Sequence, residues 1–175
     1  SRDWSSDVCS SDLMDHFALP HDGLTRAQEA GKLHRNFMGY ADLRTDVLLG
    51  LGVSSISETP GAFHQNEKVL PLWERKLAEG KIPSLRGHKL NEEDRSQREK
   101  ILRFMTQGRI GLNETEAEEA RVFLGTMIDD GLVSLDDREL RLTPAGRPFL
   151  RNACSFFDLR LRRERPEGKL FSKSI

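Results

Sequence analysis

The run Val47 to Val53, VLLGLGV, constrains this chain more than any other stretch. It is short, continuous and apolar, and Gly50 and Gly52 disfavour a helix. Such a run reads as a buried strand of a parallel sheet. Glycine inside a strand often marks close approach by a ligand or by another backbone. Gly50-Leu51-Gly52 is not a dinucleotide fingerprint, which needs a third glycine and a following helix. Ser54, Ser55 and Ser57 follow instead, then Pro60-Gly61. Ligands in α/β folds bind where strand ends meet loops, so Ser54 to Ser57 is a candidate site edge.

Just before this run lies LHRNFMGY, Leu33 to Tyr40. His34, Arg35 and Asn36 supply donors, Phe37 and Tyr40 supply aromatic faces, and Gly39 permits close backbone approach. The segment suits a ligand with anionic groups, or equally a polar loop docked by its aromatics. Further upstream, Asp15-His16 fits metal ligands, an acid–base pair or a turn. Asp22 is placed to cap a short helix that Gly31 ends. After the run, His64-Gln65-Asn66 leads towards a helix with Pro71 in its first turn. Leu72, Trp73 and Leu77 make an apolar stripe there that reads as core. Gly80 to Gly87, with Pro83, reads as a linker.

The second half has a different texture. Asn91 caps a charged helix over Glu92 to Gln107, with Ile101, Leu102 and Met105 among its apolar positions. Asn113 caps a second helix reaching about Asp130, with Ala117, Ala120, Phe123, Leu124, Met127 and Ile128 inward. Gly131 ends it. Leu132 to Leu142 reads as a hairpin turning at Asp136-Asp137. Thr143 and Pro144 open a last helix whose start Pro148 bends or delays. Its arginine-rich end, Leu159 to Arg165, reads as a solvated basic terminus.

Helix, helix, hairpin, helix is a winged-helix pattern, which raises a nucleic-acid-binding or interaction module as an alternative. The helix before the hairpin carries Glu114, Glu116, Glu118, Glu119, Asp129 and Asp130 against Arg121, so phosphates would be repelled. Net charge over the 175 residues is -1, which excludes a large basic field. No apolar run approaches a membrane span. Cys9 and Cys154 form neither a disulfide framework nor a metal-ligand spacing. The expected setting is a reducing cytoplasm, with no nucleic-acid or membrane partner. Residues 1–13 stand apart: DWSSDVCSSDL has no helical or strand period and resembles a translated sequencing adapter, so this tail is expected to be artefactual and disordered.

MDHFALP, LHRNFMGY, LLGLGVSSIS and QN, then RGHKLNEED, DDGLV, LRLTPAGRPFLRNACSFFD and FSKSI, together resemble the later part of the oxygen-independent coproporphyrinogen III oxidases. These are radical S-adenosylmethionine enzymes of haem biosynthesis. The resemblance implies a mixed fold: residues 14–85 as the final segment of a partial (β/α) barrel, and 86–175 as a mainly helical, winged-helix-like C-terminal domain. It implies oxidative decarboxylation of coproporphyrinogen III to protoporphyrinogen IX, with S-adenosylmethionine and a [4Fe-4S] cluster in the intact enzyme, an electron donor, and a monomeric state. The family's CxxxCxxC loop is absent here, so the chain alone is expected to be inactive, with no catalytic or metal residue of its own. Ile56 matches a position that packs on S-adenosylmethionine, and Phe37 and Met38 match a neighbouring pair at a second such site. Glutamine is common at the Met38 position, and methionine lacks its amide. Asp15, His16 and Phe17 match a loop near the pocket, and Arg35 is a candidate for a propionate carboxylate. A haem-binding or haem-chaperone relative of the same family is the alternative within that resemblance.

Overall fold

The computed structural model describes residues 11–12 and 17–164. The chain divides into two compact units, Ser1–Arg98 and Glu99–Ile175. The content is mixed α and β, and every strand pairing among the described residues is antiparallel.

In the first unit, β1 (Ser11–Asp12) pairs with β2 (Phe17–Ala18). Those two residues of the tail are therefore paired where disorder was expected; 1–10 and 13 lie outside the described residues. Helix α1 (Gly23–Glu29) starts at Asp22, whose carboxylate accepts from the Leu24 N–H at 2.8 Å. Gly31, at φ 65°, turns the chain out of it. The segment LHRNFMGY is a tight hairpin, β3 (His34–Asn36) against β4 (Gly39–Ala41). Leu33 and Tyr40 bury against Ala27, and Leu24 packs alongside.

The second sheet has the order β5-β6-β7, from β5 (Ile56–Thr59), β6 (Ala62–Asn66) and β7 (Ser84–Lys89). Strand β7 occupies the segment expected to be a linker. All six of its residues are exposed, so no burial pattern announced it. Helix α2 (Leu70–Ala78) lies between β6 and β7 in sequence. Its apolar stripe is not core: Leu72 and Trp73 are half-buried and Leu77 is exposed.

The expected buried parallel strand over Val47–Val53 is not formed. One antiparallel bridge, Leu48 with Glu58, is its whole share of strand pairing among the described residues. Val47, Leu49, Leu51 and Val53 are exposed, Leu51 at 90%. Gly52 sits at φ 96°, outside the range of a strand, and breaks the run. The close approach expected of a glycine does occur, and the approaching group is backbone. A Cβ on Gly50 would lie 2.6 Å from the Ile56 carbonyl oxygen.

The division between the units falls inside α3 (Glu92–Gln107), beyond the expected boundary at residues 85 and 86. Asn91 and Asp94 cap α3 reciprocally, at 2.7 and 3.1 Å. The second unit continues with β8 (Arg109–Gly111), α4 (Glu114–Phe123), α5 (Gly125–Asp129), β9 (Val133–Asp136) and β10 (Glu139–Leu142). The helix expected to run unbroken to Asp130 is interrupted at Leu124. Strand β8, unforeseen, makes the hairpin a three-stranded sheet of order β8-β10-β9. After a 3-10 turn carrying Pro148 come α6 (Leu150–Cys154) and α7 (Leu159–Glu164), so the last helix is delayed as the proline requires.

Phe104, Leu124, Leu140 and Val133 are fully buried in this unit. Phe157 stands 5.8 Å from Phe104 and 4.9 Å from Phe156, between ring centroids. The basic end is only partly solvated. Arg162 lies 5.3 Å over Phe123 and 5.2 Å over Phe156, and donates to Glu119 at 3.0 Å.

Candidate functional site

The site is assembled from the β3–β4 hairpin and the face of the β5–β6 ladder. Cross-strand pairing places Arg35 and Tyr40 on one side of the hairpin. Leu33 anchors that side in the small core with Ala27 and Tyr40. Arg35 pairs with Tyr40 across the hairpin, and its guanidinium lies 4.6 Å from the Tyr40 ring centroid. One of its terminal nitrogens, Nη1, is buried with no hydrogen-bond partner. A buried, charged donor without an acceptor is costly, so this nitrogen calls for an anionic or carbonyl oxygen.

Phe37, at the hairpin turn, meets Phe63 of β6 edge-on at 5.2 Å. Cross-strand partners share a face, and the register pairs Ile56 with Gln65 and Glu58 with Phe63. Ile56, Glu58, Phe63 and Gln65 therefore stand on one face of the sheet, and Phe37 packs on it. The structure thus brings Phe37 and Ile56 to the same face. Phe37 is 52% exposed and Ile56 half-buried, so both keep apolar surface for a ligand. Met38 is 79% exposed; its N–H donates to the Asn36 side chain at 2.8 Å, which shapes the turn. Phe17 pairs through its backbone with Asp12, away in sequence from these elements. Asp15 and His16 lie outside the described residues.

Sequence reasoning missed the groups that hold this face. The Arg98 guanidinium lies 5.1 Å over the Phe63 ring, pairs with the buried Glu58 carboxylate and donates to the Thr59 carbonyl. Burial lowers the Arg98 pKa, with nearby Arg44 adding to it. His34 is likewise held below its usual value, first by burial and then by Arg44 and Arg98. This favours a neutral imidazole among cations. Ala-Phe-His-Gln-Asn has no apolar–polar alternation, so the sequence carried no clear signal for β6 or for the part-buried Phe63.

The candidate residues fit one part of the implied cofactor set. Apolar Phe37 and Ile56, with an unmatched Arg35 donor nearby on the hairpin, suit a nucleoside-bearing molecule with a carboxylate, as S-adenosylmethionine is. An iron–sulfur cluster is not matched. Among the described residues no three His, Cys, Asp or Glu side chains group for a metal, and the described cysteine, Cys154, is buried in α6.

No protein-family model matches the chain. A solved structure resembles it with a TM-score of 0.76 at 35% identity, covering 85% of this chain and 36% of that one. That protein is a radical SAM enzyme. It is the coproporphyrinogen III oxidase of Escherichia coli. An oxygen-independent coproporphyrinogen III oxidase of Paracoccus denitrificans is 39% identical over 153 residues, 83% of this chain and 34% of its own length. Those of Salmonella typhimurium and Thermostichus vulcanus are each 35% identical over 93% of this chain, and 37% and 53% of their own lengths. The chain is a relative of the oxygen-independent coproporphyrinogen III oxidases over most of its length, and spans about a third to a half of theirs.

Proposed function

We propose that the chain is a portion of an oxygen-independent coproporphyrinogen III oxidase and forms one wall of its cofactor and substrate pocket. In that reading residues 14–85 close a partial (β/α) barrel. The order α3, β8, α4, α5, β9, β10 supports a winged-helix-like shape for the second unit. The acidic α4 keeps that module away from nucleic acid. The whole protein takes coproporphyrinogen III and converts two of its propionates to vinyl groups. It draws on an electron donor and works as a monomer in the cytoplasm. Among the described residues no helix is long and apolar enough to cross a membrane.

S-adenosylmethionine, when bound, supplies the hydrogen-abstracting radical. This chain's residues bind and orient. Phe37 and Ile56 offer apolar faces to adenine and ribose, and Met38 at the exposed turn supplies contact without the amide of glutamine. Arg35 pairs with a carboxylate, its plane fixed by stacking on Tyr40. Asp15, His16 and Phe17, earlier in the chain, are pocket candidates by their match to the family's loop alone. The cluster ligands lie outside this chain, so the chain by itself is inactive.

The observation that carries this reading is the buried, partnerless Arg35 nitrogen on the hairpin whose tip meets the Ile56 face. Calorimetric titration of the 175-residue chain with S-adenosylmethionine and with coproporphyrin III tests it. Arg35→Ala removes a charge-assisted hydrogen bond and is expected to weaken one of the two by roughly tenfold. Unchanged affinity for both refutes the role of Arg35. Tight binding of haem with neither of the others favours a haem-carrying relative.

A further inference from the structure

Ile56 enters β5 directly from the loop Gly50–Ser55, and that loop is tied to the end of β6 by polar contacts. Asn66 is the centre of them. It is buried at 7% exposure. Its amide nitrogen donates to the Gly52 carbonyl at 2.9 Å, to the Ser55 hydroxyl at 3.0 Å and to the Gly50 carbonyl at 3.3 Å. Its main-chain N–H donates to the Ser55 carbonyl at 2.9 Å. The flanking residues add to this. Gln65 donates to the Ser54 carbonyl at 3.1 Å, and the Ser54 N–H donates to the Glu67 carbonyl at 2.7 Å. On the far side of Ile56, the Ser57 hydroxyl accepts from the Gly50 N–H at 3.0 Å.

Two further features show that the loop is held and not merely resting. Ser54 sits at φ 60°, a region that a side chain adopts only when its surroundings impose it. The β6–β7 register shifts between Gln65 and Asn66, and such irregularities re-aim a side chain.

We propose that Asn66 is a positioning residue: by fixing the carbonyls of Gly50 and Gly52 and the hydroxyl of Ser55, it sets Ile56 on the ligand-facing side of the sheet. Ile56 is bracketed between Ser55, bonded to the Asn66 N–H, and Ser57, bonded to Gly50. It cannot shift without breaking one of these bonds. Removing the Asn66 amide takes the donor from the Gly50 carbonyl and unties Gly52 and Ser55, which stay bonded to each other at 2.7 Å, from the end of β6. This inference rests on the reading above that Ile56 packs on S-adenosylmethionine.

The test uses the 175-residue chain, with S-adenosylmethionine as the probe. Affinity is measured by calorimetry well below the unfolding temperature, and amide exchange is followed residue by residue. Asn66→Ala is expected to weaken binding about tenfold and to speed exchange over Gly50–Ser57 while leaving β9 and β10 unchanged. Asn66→Asp, of the same shape but with acceptors facing acceptors, is expected to do at least as much harm. Ser57→Ala loosens the same loop from the other side and is expected to cost about threefold. Affinity of the folded protein is a quantity that lost stability alone leaves unmoved. Faster exchange with affinity unchanged overturns the proposal and leaves the site reading intact. Unchanged exchange in Asn66→Ala overturns it as well. A wild-type chain that does not bind S-adenosylmethionine overturns the site reading first, and this proposal with it.

Discussion

From Glu99 onward the buried side chains are apolar: Phe104, Leu124, Val133, Leu140, Leu150, Phe156 and Phe157 lead them. In the first unit the buried apolar set is small, Ala18, Ala27, Leu33, Tyr40 and Leu90. Among the described residues every buried polar or charged side chain belongs to that unit: Thr25, Glu58, Asn66 and Glu67. Most of the exposed large apolar side chains are there too, among them Leu43, Leu49, Leu51 and Ile82. The second unit is thus held by apolar burial and the first by hydrogen bonds and a buried ion pair. Polar tethers fix atom positions more sharply than apolar contact does, which suits the unit that carries the candidate site.

The sharpest way to break this contrast is to remove a phenylalanine from each unit. Phe104 is wholly buried against Phe157, and truncation of a core phenylalanine costs about 3–5 kcal/mol. Phe104→Ala is expected to unfold the second unit at much lower urea, read by loss of amide protection in β9 and β10. Phe37→Ala removes a half-exposed ring that meets Phe63 edge-on, and is expected to cost about 1 kcal/mol. Equal losses would mean that the units do not differ in what holds them.

A smaller effect concerns the charged start of α4. Burial pushes the Glu116 carboxyl up, but the Lys100 ammonium and the Asn113 N–H outweigh it and hold the pKa below the usual glutamate value of 4.5. A carboxyl depressed by folding contributes stability that is complete above its unfolded pKa and lost as pH falls through the folded one. The second unit is therefore expected to weaken below about pH 4.5 as Glu116 protonates. Glu116→Gln keeps the cap geometry, loses the ion pair, and is expected to flatten that part of the stability–pH curve at a cost under about 1 kcal/mol at neutral pH. An unchanged curve would place the acid sensitivity elsewhere.

The same division governs what could be read from the residues beforehand. Helix α3 runs over Glu92–Gln107 as its Asn91 cap and charged face implied, because caps act within one turn. Asn113, Gly131 and the turn at Asp137 were legible for the same reason. Strand β8, three residues long, carries no period to read. Strand β7 offered no buried alternation. Val47–Val53 misled because its composition matched a buried strand while its pairing did not. In the site, the aromatic and basic segment Leu33 to Tyr40 was legible as a candidate ligand loop or a docked polar loop, and its pairing as a hairpin was not. The Phe63 contact was not, nor was the role of Asn66, whose acceptors lie 11 to 16 residues away. Short-range chemistry reads directly from sequence; tethers across loops do not.

The finest test of the contrast compares two side chains held in the left-handed region, Ser54 at φ 60° in the first unit and Asp137 at φ 51° in the second. Asp137 sits in a hairpin turn, where aspartate tolerates that conformation. Ser54 has no such licence and is kept there by its bonds to Glu67 and Gln65. Glycine relieves the strain of about 1–2 kcal/mol and restores about 0.5–1 kcal/mol of chain entropy to the unfolded state. Ser54→Gly is accordingly expected to stabilise the first unit by several tenths of a kcal/mol up to about 1 kcal/mol, measured by urea unfolding. Asp137→Gly is expected to change the second unit by less. A larger gain at Asp137 would mean that the strain is spread over both units and is not a feature of the site loop.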